Sequence, residues 1–247
     1  MFIFVEVINI TKETMKKNTY LSKGTSNAKT AKNSLKTFIL YLTPGTTNGA
    51  NLCPKASEGC LSACLYTSGM AGIYPTINAS RLKKTEDFLR DKPAFLRALA
   101  YEILKECNKA RKAGEKIAFR LNGTSDVDFV YLLKKYADLD IASLQDVAIF
   151  YDYSKIIQKA IRYQNHPNYF VTFSRSESNQ QDVQAAVDLG INVAVVFSGE
   201  LPEAYLGRPV IDGDKSDILM AYNKGIILGL KAKGKAKQDE TNFVVKS

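Results

Sequence analysis

Tryptophan is absent from this 247-residue sequence, histidine occurs once and cysteine occurs four times. The single histidine, His166, excludes every mechanism that needs two imidazole groups. Four cysteines in a chain of this length do not form a disulfide scaffold. No apolar run approaches the roughly 20 residues that span a bilayer, and the first residues lack the basic segment of a secretion signal. These absences predict a cytoplasmic protein with an ordinary folded core and no membrane partner.

Positive charge dominates the composition. Lysine and arginine number 34 against 25 acidic residues, and the net charge is +9. The surplus lies mainly in the lysine-rich stretches 12–36 and 224–237. It indicates a polyanionic partner, with nucleic acid as the candidate. Neither stretch has regularly interleaved aromatic residues, so no base-stacking surface is predicted, and solvated flanks without a partner remain the alternative.

Short apolar runs alternate with helical patterns along the chain. We expect strands at 2–10, 37–43, 116–121, 146–151, 169–173, 192–197 and 225–230. The helical patterns lie at 128–136, 153–164 and 178–189, and a longer helix runs from its capping residue Asp91 to Gly114. This alternation is typical of βα units that build a parallel sheet.

Polar residues follow every predicted strand from 116–121 onward. They are residues 122–126, Asp152, 174–176, 198–200, and Lys231 with Lys233. A ring of polar βα loops is typical of a barrel's active face, whereas an open sheet concentrates such residues at one switch point. We therefore expect an α/β fold with a (β/α)6-type partial barrel of mainly parallel strands. The barrel domain would span 35–237, after an N-terminal strand and polar extension at 1–34 and before a C-terminal tail at 238–247.

Three cysteines, Cys53, Cys60 and Cys64, lie within twelve residues in the loop after the first barrel strand. A disulfide disagrees with a reducing compartment, and the redox motif C-x-x-C is absent. Structural zinc needs a fourth ligand, for which Cys107 and His166 are the candidates. An iron–sulfur cluster held by three cysteines needs no fourth protein ligand and leaves one iron open. The cluster is the favoured interpretation, and zinc remains the alternative.

Cysteines placed in this way give the chain a resemblance to known families. The partial barrel with three clustered cysteines after its first strand resembles the radical S-adenosylmethionine (SAM) enzymes. The motifs over residues 35–237 are similar to those of phage and plasmid proteins with a gene product 88 domain. These motifs are 53–65, 120–126, 150–155, 172–177, 210–214 and 229–234. The C-x6-C-x3-C spacing differs from the usual radical SAM spacing, C-x3-C-x2-C, and 122–126 stands where that family commonly has Gly-Gly-Glu.

The radical SAM resemblance implies a set of functional residues. Cys53, Cys60 and Cys64 would hold a [4Fe-4S] cluster, and SAM would bind its open iron. The SAM-binding residues implied by position are Asn122, Thr124, Asp126, Ser174 and Arg175. Lys231 would meet an anionic substrate, and the candidate catalytic residues are Asp152 and Tyr153. Helix capping is the alternative for Asp152.

Two other functions fit the same sequence. One is a basic, nucleic-acid-associated phage protein of the host-cell cytoplasm, in which a cysteine-bound metal only staples a long loop. The other is a redox-inert barrel enzyme that holds a hard divalent metal between Asp126 and Asp152. The position of the cysteines at the polar, carboxyl end of the predicted sheet favours the iron–sulfur interpretation over both.

Overall fold

The computed structural model describes residues 19–26, 34–47, 49–64, 66 and 70–247. The strand expected at 2–10 and most of the expected N-terminal extension lie outside the described residues. None of the described helices combines the length and hydropathy needed to cross a membrane.

Most strands of the described chain join one sheet. The strands are β1 Leu21–Lys23, β2 Lys36–Leu40, β3 Thr46–Thr47, β4 Ala50–Asn51, β5 Ile117–Arg120, β6 Ala148–Ser154, β7 Tyr169–Ser174, β8 Val193–Phe197, β9 Ala204–Tyr205, β10 Arg208–Asp212 and β11 Ile227–Lys231. β3 and β4 pair as a small separate hairpin, and the others form a nine-stranded sheet. The six strands predicted between 37 and 230 are confirmed as β2, β5, β6, β7, β8 and β11.

Helices connect these strands. They are α1 Glu58–Ser62, α2 Met70–Ile73, α3 Pro75–Arg90, α4 Lys92–Ala113, α5 Phe129–Ala137, α6 Ile157–Arg162, α7 Gln180–Asp188 and α8 Leu219–Tyr222. The predicted start and end of α4 are confirmed, because Asp91 accepts a hydrogen bond from Ala94 N at 2.9 Å and Gly114 has the left-handed φ of 65° that ends many helices. Short 3₁₀ turns occur at Gly24–Ser26, Ile141–Leu144 and Gly234–Gln238.

The sheet is largely parallel. Its strand order is β1-β2-β5-β6-β7-β8-β11-β10-β9, and every pairing from β2 through to β10 is parallel. Antiparallel β1 and β9 lie at the two edges, so the hydrogen-bond ladder of the described residues does not close into a ring. The chain is therefore a mixed α/β fold in which seven neighbouring parallel strands bring their carboxyl ends, and the loops after them, to one side.

Both faces of the sheet are buried, which explains why the strands read as nearly continuous apolar runs. On one face Phe38, Phe119 and Phe150 stack in a row, with ring centroids 5.5 and 5.0 Å apart, under helices α3 to α5. On the opposite face Tyr151 and its neighbours pack against Met220 of α8. The sheet is thus a rigid platform for the loops at its carboxyl end.

The last residues belong to that platform. Val245 pairs in parallel with Phe197 at the end of β8, and its N–H and C=O bond to Val196 O and Ser198 N at 2.8 and 2.9 Å. Phe243 and Val244 are buried. The segment 238–247, expected as a tail, is therefore docked across the carboxyl end of the sheet.

Candidate functional site

The three clustered cysteines lie in one loop, residues 52–64, which we call the cysteine loop. Cys53 follows β4, Cys60 lies in α1 and Cys64 lies just beyond it, and all three are unoxidised and partly buried. The loop lies against the segment after β5, because Asp126 N donates to Leu52 O at 2.8 Å and the Cys53 thiol points to Thr124 O at 3.7 Å. The cysteines are therefore at the carboxyl end of the parallel strands.

The three thiols interact with one another. Burial raises the pKa of Cys53 from 9.0 to about 11, and the charge of Asp126, followed by smaller contributions of Cys64 and Cys60, raises that pKa further. Burial also raises the pKa of Cys64, which Cys60 raises as well, whereas the N–H of Tyr66, 3.5 Å from its sulfur, lowers it. No three His, Cys, Asp or Glu side chains of the described ranges are arranged to ligate a single ion.

A distant glutamate holds the cysteine loop in place. The Glu177 carboxylate, beyond the end of β7, accepts hydrogen bonds from Gly59 N and from the Ser57 hydroxyl, both at 2.8 Å. Ser57 also caps α1 by accepting from Cys60 N at 3.3 Å. Glu177 is 118 positions from Gly59, so no local pattern in the sequence indicates this contact.

Arg81 of α3 is a second residue that sequence reasoning missed. Its guanidinium lies between the rings of Tyr41 and Tyr66, 4.6 and 5.4 Å from their centroids, and the residue is only 9% exposed. Its Nε and Nη1 have no hydrogen-bond partner within the part of the chain that is described. Burial lowers the pKa of Arg81, and the guanidinium in turn lowers the pKa of Cys64. A buried cation of this kind favours negative charge beside it.

Lys155 provides a second cation near the same thiol. It follows β6, donates to the Ser174 hydroxyl at 3.0 Å and lies 5.4 Å from the centroid of the Phe243 ring. Its charge also lowers the pKa of Cys64. The predicted site residue Ser174 is thus brought to the cysteine loop with Lys155 as its partner.

Arg175, the neighbouring predicted site residue, binds protein backbone. Its Nη1 donates to the carbonyl oxygens of Asn242 and Phe243 at 2.6 and 2.7 Å. The guanidinium therefore anchors the C-terminal segment at the carboxyl end of β7. This contact was not visible in the sequence, from which 238–247 was expected to be a C-terminal tail.

Asn122 and Asp152 form a buried network under the loop that follows β5. The Asp152 carboxylate accepts from Asn122 N and Nδ2 at 2.8 and 2.9 Å and from the Tyr169 hydroxyl at 3.0 Å. Asn122 Oδ1 accepts from Val127 N at 2.8 Å, and burial raises the pKa of Asp152. Asp152 lies within β6 and caps no helix, and its contacts favour a role in shaping the loop.

Asp126 is held by an ion pair inside the protein. Its carboxylate accepts from Ser154 Oγ at 2.8 Å, Lys155 N at 2.8 Å and Lys159 Nζ at 3.2 Å. The Lys159 side chain is 3% exposed and that of Asp126 is 11% exposed. Lys159 also lowers the pKa of Asp152. Its ammonium therefore provides positive charge to both Asp126 and Asp152, the two carboxylates that the divalent-metal hypothesis expects to bind a metal ion. Thr124 completes this loop by donating to Leu42 O.

Tyr153 points to the opposite, α8-covered face of the sheet. Its hydroxyl donates to Asp217 at 2.9 Å, and the centroid of its ring lies 5.0 Å from the guanidinium carbon of Arg120. Nη1 of Arg120 lies 3.4 Å from the same carboxylate. Burial raises the pKa of Tyr153 well above its ordinary value. Tyr153 and Asp152 are adjacent in sequence, but strand alternation sends them to different faces, so the structure does not bring these two candidates together.

Lys231 lies at the rim of this end of the sheet. Its side chain is exposed, and its N–H donates to Asp214 at 3.0 Å, while Lys233 forms an ion pair with Asp214 at 2.7 Å. The two candidates for a fourth zinc ligand lie elsewhere. Cys107 lies on the buried face of α4, and His166 packs against Tyr169 at the start of β7.

Comparison with known proteins identifies one family. The model of the family described as Gene product 88 matches residues 12–247, nearly the whole chain. Neither the search of curated proteins nor the search of solved structures gave a match.

Proposed function

The chain belongs to the gene product 88 family, and since this membership names no reaction, we propose from the site itself that the protein is an iron–sulfur protein of the radical SAM type. Cys53, Cys60 and Cys64 would hold a [4Fe-4S] cluster. The observation that carries the proposal is the position of three interacting, partly buried thiols at the carboxyl end of a parallel sheet. Catalytic sites of α/β folds concentrate at that end.

The surroundings of the thiols suit an anionic centre. Cluster-bound cysteines are thiolates, so their charge needs compensation when it is partly buried. Arg81 and Lys155 supply two cations near Cys64, and the Tyr66 N–H points to its sulfur. Hydrogen bonds and charges of this kind tune the potential of such clusters.

A cluster and a single ion place different demands on their cysteine ligands. A zinc ion draws its thiolates to about 2.3 Å and needs four ligands, and the described residues contain no such convergent group. A four-iron cluster is larger than an ion, so its three cysteines stand further apart. When bound, it supplies an iron open to a ligand and one electron.

The protein's own residues would orient and enclose the ligands of that centre. The sheet order β1-β2-β5-β6-β7-β8 follows the chain, which supports the proposed partial barrel with the site at its mouth. Ser174 and Lys155 offer a hydroxyl and an ammonium beside the cysteine loop for the polar end of SAM. The 122–126 segment contacts Cys53, since the carbonyl oxygen of Thr124 lies 3.7 Å from its sulfur.

Anaerobic reconstitution tests the proposal. We expect about four iron and four sulfide per chain in the wild type, and a large loss in Cys60→Ala. Cys107→Ala is the matched control, because Cys107 is buried in the core away from the cysteine loop, and it should bind iron as the wild type does. Uptake of one zinc without iron, or equal iron in both variants, would contradict the proposal. With the cluster in place, SAM cleavage under a low-potential reductant is the second measurement.

A further inference from the structure

A row of exposed lysines lies directly beside the cysteine loop. Residues 231–238 read Lys-Ala-Lys-Gly-Lys-Ala-Lys-Gln and include four lysines and no acidic residue. All four lysines are exposed, whereas Ala232 and Ala236 between them are buried. We call Lys231, Lys233, Lys235 and Lys237 the lysine rim. In this segment the side chains of Ala232 and Ala236 point inward, and the lysine side chains are exposed to solvent.

The buried side of the rim contacts the site. Ala232 and Ala236 form a small apolar cluster with Phe243 and Val244, and Cys60 packs against that cluster. Phe243 also lies under the Lys155 ammonium. The rim and a proposed cluster ligand therefore share one packing unit, although they are more than 170 positions apart in sequence.

Most of the rim's charge is uncompensated. Lys233 pairs with Asp214 at 2.7 Å, but Lys231, Lys235 and Lys237 form no ion pair with any residue that the structure describes. Charges held on a docked segment attract a polyanion at low ordering cost, since the backbone that carries them is already fixed. The exposed residues of the segment 231–238 are lysine, glycine and glutamine. The segment therefore offers no exposed apolar side chain for insertion into a lipid layer.

We propose that the lysine rim binds the phosphodiester backbone of a nucleic-acid strand and brings that strand to the cysteine site. This assignment of a substrate class rests on the proposed function. Because the rim has no aromatic side chain, it recognises phosphates without reading the sequence of bases.

Fluorescence anisotropy with a labelled single-stranded oligonucleotide of about 20 nucleotides tests the rim. The rim variant reverses three charges, Lys231→Glu, Lys235→Glu and Lys237→Glu. The control variant, Lys83→Glu, Lys112→Glu and Lys116→Glu, has the same net charge, and its exposed lysines lie on or just after helices α3 and α4. We expect the rim variant to bind roughly tenfold or more weakly at about 100 mM salt, and its slope of log K against log salt to fall by about 2. The control variant should stay close to the wild type.

Equal losses in both variants would overturn the proposal, because the binding would then reflect net charge. Rim-dependent binding to phosphatidylserine vesicles without oligonucleotide binding would also overturn it, in favour of a membrane surface. A second measurement tests whether the bound strand reaches the cysteine site. Bound oligonucleotide should slow maleimide labelling of Cys60 in the metal-free wild type and not in the rim variant. Unchanged labelling would refute delivery to the site.

The two proposals fail in distinguishable ways. Cys60→Ala should retain oligonucleotide affinity, and the rim variant should retain iron uptake. Rim-dependent binding in a protein that takes up no iron would refute the iron–sulfur function and leave the nucleic-acid surface intact. Iron uptake without rim-dependent binding would refute the nucleic-acid surface and leave the iron–sulfur function intact.

Discussion

Replacing Lys159 with methionine removes the ammonium that lies against the carboxylate of Asp126 in the interior. Both side chains are nearly buried, 3% and 11% exposed, so solvent screens the pair weakly. Removing one partner of a buried pair typically costs about 3–5 kcal/mol because the other charge stays buried. Asp126 keeps its hydrogen bonds from Ser154 Oγ and Lys155 N, so we expect the lower end, about 3 kcal/mol. For a chain of this size that lowers Tm by about 6–12 °C.

Urea unfolding in a double-mutant cycle with Asp126→Asn measures this coupling directly. If the pair interacts as the structure shows, the double variant is more stable than the two single losses predict, by about 1 kcal/mol or more. Lys134→Met is the control, since the Lys134–Asp138 pair spans one turn of an exposed surface and its loss should leave the midpoint unchanged.

An unchanged midpoint for Lys159→Met, or a coupling energy near zero, would refute the conclusion that the ion pair with Lys159 stabilises the fold through Asp126. It would then leave Asp126 available for the SAM-binding role that its position implies. Because Asp126 N also bonds to Leu52 O beside Cys53, we further expect Lys159→Met to take up less iron at a temperature where it is still folded.

Three further predictions concern other parts of the molecule. Burial raises the pKa of Cys107 to about 12 from 9.0, so the neutral thiol stabilises the fold below pH 9, and that contribution is lost as the pH rises toward 12. Urea midpoints between pH 8 and pH 11 should therefore fall more steeply in the wild type than in Cys107→Ala, and parallel curves would contradict this. Arg175→Gln removes the hydrogen bonds to the carbonyls of Asn242 and Phe243, so limited proteolysis should cut the C-terminal segment faster, while an unchanged cleavage rate would show that Val245 pairing suffices. Gly59→Ala should lower both stability and iron uptake, because an added Cβ would lie 2.6 Å from Phe243 Cβ. Full iron uptake in that variant would disprove the close approach.

Much of the fold could be read from local patterns. The apolar runs and helical periods located the six consecutive parallel strands that position the site, and the signals at Asp91 and Gly114 marked both ends of α4. The prediction ended the third of these strands at 151 and began the next helix at 153. The structure continues β6 to Ser154, since Tyr153 and Ser154 pair with Thr172 and Phe173 of β7.

The edges of the sheet were not predictable in the same way. β10 lies beyond β11, so the chain reaches the edge first and then returns to insert β11 beside β8. No strand was predicted at the residues of β10, and their strand conformation depends on the ladder formed with 227–229. Pairing between strands is not visible in the sequence of either one.

The candidate site divides along the same line. The spacing of Cys53, Cys60 and Cys64 in one loop after the first parallel strand is a local property, and it sufficed to locate the site. The partners of that loop are distant residues. Glu177 holds its backbone and the charge of Arg81 acts on Cys64. Ala232 and Ala236, which alternate with the lysines of the rim, share an apolar cluster with Cys60. No local pattern in the sequence indicates the contacts of Glu177 and Arg81, whereas Lys231 and Lys233 were expected at this end of the sheet.

The sequence by itself determined the six neighbouring parallel strands, both ends of α4, the cysteine spacing and the positive charge, because each depends on residue types at short separation. Only the tertiary structure decided that Lys159 pairs with Asp126, that Asp152 serves Asn122 and Tyr169, and that residues 238–247 are docked. A polar group in the interior must find a hydrogen-bond partner or an opposite charge, and folding brings that partner from any part of the chain. Which carboxylates are committed to structure is therefore a property of the fold.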